Sequence, residues 1–110
     1  MNLEELQFLN GSREPLTVDD VRRIIQIYFP NKRKCISHRY NSWNLKHAFE
    51  RMSWVVGGHY RYCANDVCLE AFRLEGFDAE NHNGKRYFLN INPLDLKFIY
   101  KNFYDNIRTI

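Results

Sequence analysis

Between Ser42 and Phe77 two stretches with the apolar spacing of a helix flank a Gly-Gly pair, and any fold open to this chain must place them as helix, connection, helix. In the first, Leu45, Ala48, Phe49 and Met52 recur at i, i+3, i+4 and i+7 and so share one helix face. Ser42 stands where its hydroxyl would accept a bond from a first-turn N–H that has no partner inside the helix. Gly57-Gly58 breaks the pattern, and the second helix opens at Asn65 with Val67, Cys68, Ala71, Phe72 and Leu74 as its apolar members. Gly76 ends it. A glycine just past a helix takes the left-handed conformation without steric cost, and Phe77 is then placed to fold back on Phe72, as in a Schellman ending. Trp54 to Tyr62 reads as the connection, with Trp54, Val55 and Val56 directed to the core and His59 to Tyr62 able to run extended.

The flanking segments add fewer elements. Leu3, Leu6 and Leu9 give Asn2 to Leu9 the look of a short helix or extended arm, so residues 1–16 are expected to be peripheral. Thr17 caps a stronger helix whose stripe is Val18, Val21, Ile24, Ile25, Tyr28 and Phe29, with Asp19 and Asp20 at its positive end and Pro30 as its stop. Arg22, Arg23 and Gln26 fall on the other side. After Gly76 the period changes to two. Tyr87, Leu89 and Ile91 alternate with Phe88 and Asn90, Asn83-Gly84 supplies a hairpin turn, and Phe77 to Glu80 would be the partner strand. Asn92-Pro93 starts a last helix with the stripe Leu96, Ile99, Tyr100, Phe103 and Ile107, widened by Leu94 and Phe98. The expectation is a single domain over 1–110 of the α+β class, mainly α, with four to five helices, one small β-hairpin and a winged-helix-like outline.

Charge is distributed unevenly along the chain. Residues 1–20 hold Arg13 against five acids, whereas 21–63 hold nine basic residues against Glu50 alone. The densest part is Asn31 to Asn41, which reads as a basic loop: Lys32, Arg33, Lys34 and Arg39 with no acid, and His38 and Tyr40 available to stack on unpaired bases. Lys46, His47 and Arg51 continue the charge onto the polar side of the next helix. A solvated loop and a contact with phosphate both fit this composition.

Chemistry is harder to find. No phosphate-binding glycine loop, His-Glu-x-x-His helix or nucleophile elbow occurs, and the four histidines are scattered. His47 and Glu50 have the spacing of a base and its orienting group, but also that of an ordinary surface pair. Three cysteines, an odd number, argue against a disulfide framework; Cys63 and Cys68 lack a second metal-binding half and read as buried small hydrophobes. Neither catalysis, a metal nor a cofactor is expected. No apolar run reaches the ~20 residues of a membrane span, and the acidic start is unlike a signal peptide, so a cytoplasmic location is the expectation.

The outline of helix, turn, helix and hairpin raises the question of DNA recognition, in which Asn65 to Glu75 would enter the major groove. That segment carries Asp66, Glu70 and Glu75 against Arg73, so a polyanion would repel it, whereas Lys85 and Arg86 near the hairpin tip are better suited. The pattern Ser42-x-x-Leu45-Lys46-His47-x-x-Glu50, then Tyr62-x-x-Asn65-Asp66 and Glu70-Ala71-x-x-x-x-Gly76-Phe77, resembles small accessory proteins of phages and mobile elements, departing from their form at Asn44, where glycine is more usual. Such proteins include anti-CRISPR inhibitors. The resemblance implies a non-enzymatic inhibitor or modulator of a host nucleoprotein, above all an RNA-guided nuclease, and the basic centre and acidic flanks of the chain suit such a partner, which presents both signs of charge. Lys32, Arg33, Lys34 and Arg39, with Tyr40, Lys46 and Arg51 beside them, are the expected contacts with nucleic acid or an acidic protein groove. The alternative is a winged-helix-like DNA- or RNA-binding accessory or regulatory protein.

Overall fold

Four α-helices and three strands enclose one core in the computed structural model, which describes residues 3–84 and 86–104, without the side chains of His82 and Asn83. A 3₁₀ helix (Leu3–Leu9) leads into α1 (Val18–Tyr28). Then come β1 (Lys32–Asn41), α2 (Ser42–Gly57), α3 (Asn65–Leu74), β2 (Ala79–Asn83), β3 (Arg86–Ile91) and α4 (Pro93–Ile99), whose last turn continues as a π-helix over Tyr100–Tyr104. The strands form one antiparallel sheet in the order β1-β3-β2. The class is α+β, mainly α, as expected.

The helix ends follow from local chemistry. Thr17 and Asp20 close a reciprocal capping box on α1: Asp20 N–H donates to Thr17 Oγ1 at 3.1 Å and Thr17 N–H to Asp20 Oδ2 at 3.0 Å. At α3 the Schellman ending is complete. Gly76 sits at φ 85°, Phe77 N–H reaches the Phe72 carbonyl at 2.9 Å, and the two rings meet edge to face at 5.1 Å. Asn92 caps α4 by accepting from Leu94 N–H, with Pro93 in the first turn.

The stripe of α2, Leu45, Ala48, Phe49 and Met52, is fully buried, and Phe49 packs on Phe72 and Phe29 with ring centroids 6.0 and 6.2 Å away. Leu6, Leu9 and Leu16 are also buried, so the segment expected to be peripheral contributes to the core. Packing explains this, since three leucines in a domain of this size find too little apolar surface elsewhere.

Several expectations need correction. Asn31 to Asn41 is not a loop: Lys32–Asn41 is an edge strand paired with β3. Lys32 pairs with Ile91 and Ser37 with Leu89, so the residues between them bulge out of the ladder and the period-two signal is lost. The cap of α2 is Asn41, whose Oδ1 accepts from Trp43 and Asn44 N–H, while Asn44 Oδ1 accepts from Asn41 N–H. Ser42 instead lies buried in the first turn and its Oγ accepts the Tyr87 N–H of β3. Trp54 to Val56 belong to α2, half-buried, and Gly58 ends the helix at φ 77°. The partner strand is Ala79–Asn83 rather than Phe77 to Glu80, because the Schellman turn uses Phe77. Leu94 and Phe98 are exposed, and Ile107 and Lys85 lie outside the described residues.

Candidate nucleic-acid interface

Lys32, Arg33, Lys34 and Arg39 all project as exposed residues from β1. Lysine and arginine on an edge strand discourage pairing with another chain, which is one reason for such a composition. Here the bulge adds shape: Lys32 to Ser37 line an open recess of about 580 Å³. Buried Asn90 fixes its back, donating to the Arg33 carbonyl at 2.9 Å and accepting the Asp78 N–H at 2.8 Å, so β1 is tied to the segment entering β2. Lys32 Nζ sits 5.3 Å from the Phe77 ring and Arg39 lies 5.6 Å from the Tyr40 ring. Tyr40 in turn meets Tyr100 at 5.9 Å. None of the four cations is ion-paired with a described residue.

Of the five other basic residues of the central segment, Arg22, Lys46 and Arg61 are paired with acids, whereas Arg23 lies over the Phe8 ring and Arg51 is held by neutral groups. Arg22 pairs with Glu75 at 2.8 Å. Arg61 is buried, pairs with Asp20 at 3.0 Å and donates to the carbonyls of Leu9, Glu14 and Pro15. Of the remaining expected contacts, Lys46 is only 3% exposed, with its ammonium 3.7 Å from Glu50. Arg51 donates to the Tyr60 hydroxyl and the Phe103 carbonyl and lies over the rings of Trp54 and Tyr104. The structure thus places five of the seven expected contacts on β1, Tyr40 beside Arg39 among them, and ties Lys46 and Arg51 into internal networks.

His47 and Glu50 do meet, at 2.9 Å. Glu50 is not a surface group, however, because its other oxygen accepts the Cys63 N–H at 2.9 Å and faces Lys46. A carboxylate so engaged anchors the connection between α2 and α3. Cys63 and Cys68 are buried next to it, and burial together with the hydrogen bond that the Cys68 thiol donates to Cys63 pushes that thiol well up, which keeps it neutral and inert.

Sequence reasoning missed a second surface, made of rings. Trp43, Tyr60 and Tyr62 are exposed beside Lys46, Arg51 and Arg86. Lys46 Nζ lies 4.7 Å from the Trp43 ring and 5.0 Å from the Tyr62 ring, and the Arg86 guanidinium is 5.4 Å from Trp43. Part of the signal was legible, since Trp43 precedes Lys46 and His47 by three and four positions and so shares their helix face. The exposure of Tyr60 and Tyr62 was not, because it depends on Arg61 turning inward between them.

On the opposite sign of charge, α3 presents Asp66, Glu70 and Arg73 to a groove shared with Asp78, floored by Leu69 and Leu89. Arg73 is held by Glu70, which lowers the carboxyl below its ordinary range. No helix among the described residues is long and apolar enough to cross a membrane. Comparison with known proteins finds no matching family model, no curated protein significantly similar in sequence and no solved structure significantly similar in fold.

Proposed function

We propose that this chain is a non-enzymatic binding protein that inhibits or modulates a host nucleoprotein, an RNA-guided nuclease being the target implied by its resemblance to phage accessory proteins. The observation that carries the reading is the segregation of charge. Four cations without ion-pair partners among the described residues stand on β1, while the groove of α3 is lined by Asp66 and Asp78, with Glu70 there already paired to Arg73. A nucleoprotein offers phosphate to the first surface and basic protein to the second, and complementary fields of this kind guide encounter. The use of Glu50 as an anchor for the Cys63 backbone supports a structural rather than catalytic role for the His47–Glu50 pair.

The alternative, a winged-helix-like protein that binds naked DNA or RNA, draws support from the order α1-β1-α2-α3-β2-β3 and from the pairing of β1 with β3. The acidic α3 weighs against it, since that helix would have to enter the groove of a polyanion.

The test is binding of the protein to a guide-loaded RNA-guided nuclease, with Lys32→Glu, Arg33→Glu and Lys34→Glu combined as the variant. The expected result is inhibition by the parent and an affinity at least roughly tenfold lower for the triple variant at moderate salt, with unchanged thermal unfolding. Equal binding by both would overturn the role of β1. Binding only to naked strands, falling steeply with salt, would replace this reading by the alternative.

A further inference from the structure

A recess of about 370 Å³ opens between Trp43 and Tyr62, lined also by Lys46, Ala64, Asn65 and Asp66. Its two ring walls are 39% and 58% exposed, whereas Phe29, Phe49, Phe72, Phe77 and Phe103 are buried. Leaving two large rings in water forgoes apolar burial that the chain secures elsewhere, and here both rings flank one cavity.

The recess is also held rigid. Lys46, with a side chain only 4% exposed, forms its floor, fixed by Glu50 at 3.7 Å and lying within 5.0 Å of both ring centroids. Tyr62 is carried on a strip bonded on several sides. Its carbonyl accepts the Leu16 N–H at 2.8 Å, Cys63 N–H goes to Glu50, and Ser53 Oγ accepts the Arg61 N–H. The backbone of Trp43 is fixed in the first turn of α2, where its main-chain N–H donates to Asn41 Oδ1.

We infer that this recess is a binding slot for an unpaired nucleobase of single-stranded nucleic acid, a proposal that rests on the nucleic-acid contact of the preceding reading and gives it a second point of attachment. Flat exposed rings supply the stacking surface, and base stacking on aromatic side chains tolerates sequence because every base has a π-face. The charge beside the recess favours a strand. Lys46 is neutralised by Glu50, but the exposed Arg86 guanidinium 5.4 Å from the Trp43 ring attracts a strand whose phosphates pass it. Asp66 sets the orientation: its carboxylate repels phosphate and accepts from an amino edge, so the base enters edge-first and the backbone stays outside. A duplex keeps its bases stacked inside and cannot use the slot.

The experiment uses Trp54→Phe as background, so that emission reports Trp43 alone. The full chain is titrated with labelled single strands of deoxycytidine, thymidine or uridine about ten nucleotides long, and with a duplex, following both emission and strand anisotropy. Saturable quenching of Trp43 by single strands and not by duplex is expected, tighter for the amino-bearing cytosine than for thymine. Tyr62→Ala should weaken it roughly tenfold and Tyr62→Phe restore it. The ribose and deoxyribose arms separate RNA from DNA. If strands bind in a manner sensitive to the β1 charge reversal while Trp43 emission is unchanged and Tyr62→Ala binds like the parent, the slot is overturned and the β1 surface stands. If no strand binds at all, the slot is overturned as well, and binding to the nuclease complex decides the broader reading independently.

Discussion

The guanidinium of Arg61 lies 3.0 Å from Asp20 Oδ2, and that same oxygen accepts the Thr17 N–H of the α1 capping box. One carboxylate therefore closes a helix end and holds a buried cation that reaches the carbonyls of Leu9, Glu14 and Pro15. Arg61 also separates the outward-facing Tyr60 and Tyr62, so the pair links the packing of the N-terminal segment to the aromatic surface.

Removing the cation leaves a carboxylate and several carbonyls short of a donor. Arg61→Leu is expected to destabilise the fold by about 3–5 kcal/mol, the cost typical of breaking a buried pair from one side. Urea unfolding measures it. A loss below about 1 kcal/mol would mean that water replaces the guanidinium without penalty and that the pair behaves like an exposed one.

The helices were legible because their signals are local. Thr17 with Asp20, Gly76 with Phe77 and Asn92 with Pro93 each need only residues a few positions apart, and the buried stripe of α2 follows from spacing alone. β1 was not legible. Its cations were visible, but its strand character is imposed by pairing with β3, more than forty positions later, across a ladder broken by bulges. The same limit applied to the candidate site. Lys32, Arg33, Lys34 and Arg39 stood out as charge, yet whether Arg61, Lys46 or Arg51 also faced solvent depended on partners such as Asp20, Glu50 and Phe103 that only the fold brings near.

The start of α2 offers a contrast between neighbouring residues. Asn41→Ala removes a side-chain acceptor for two N–H groups at an exposed helix end, where water can substitute, and should cost about 1 kcal/mol. Ser42→Ala leaves the Tyr87 N–H facing a buried methyl group instead of Oγ, at a cost of about 1–3 kcal/mol. Thermal unfolding of both variants checks the order. A costlier Asn41→Ala would restore the importance of the cap over the α2–β3 bond.

Glu50 and Lys46 are expected to be energetically coupled. Glu50→Gln keeps an acceptor for Cys63 N–H but leaves the buried Lys46 ammonium without its counter-charge, whereas Lys46→Met removes the charge and retains the stem. Each single change should cost about 2–4 kcal/mol, and the double variant less than the sum, with a coupling of about 1–3 kcal/mol. Additive losses in a double-mutant cycle would show that the 3.7 Å contact contributes nothing of its own.

Tyr100 gives the fold a dependence on alkaline pH. Burial, reinforced by the neighbouring Tyr104 and Tyr40, pushes its phenol from 10.0 up to about 12. The folded state then holds a proton that the unfolded chain has released, so the contribution of this group is fully present below pH 10.0 and is lost as pH rises through about 12. Tyr28 and Tyr104 are raised in the same direction, chiefly by burial, with Arg51 opposing the shift at Tyr104. Tyr100→Phe should therefore flatten, but not abolish, the fall in unfolding free energy across that window, and remove one late-titrating group from the phenolate absorbance of the native protein. An alkaline stability profile identical to that of the parent would place the Tyr100 hydroxyl in contact with solvent and assign the dependence to the other two tyrosines.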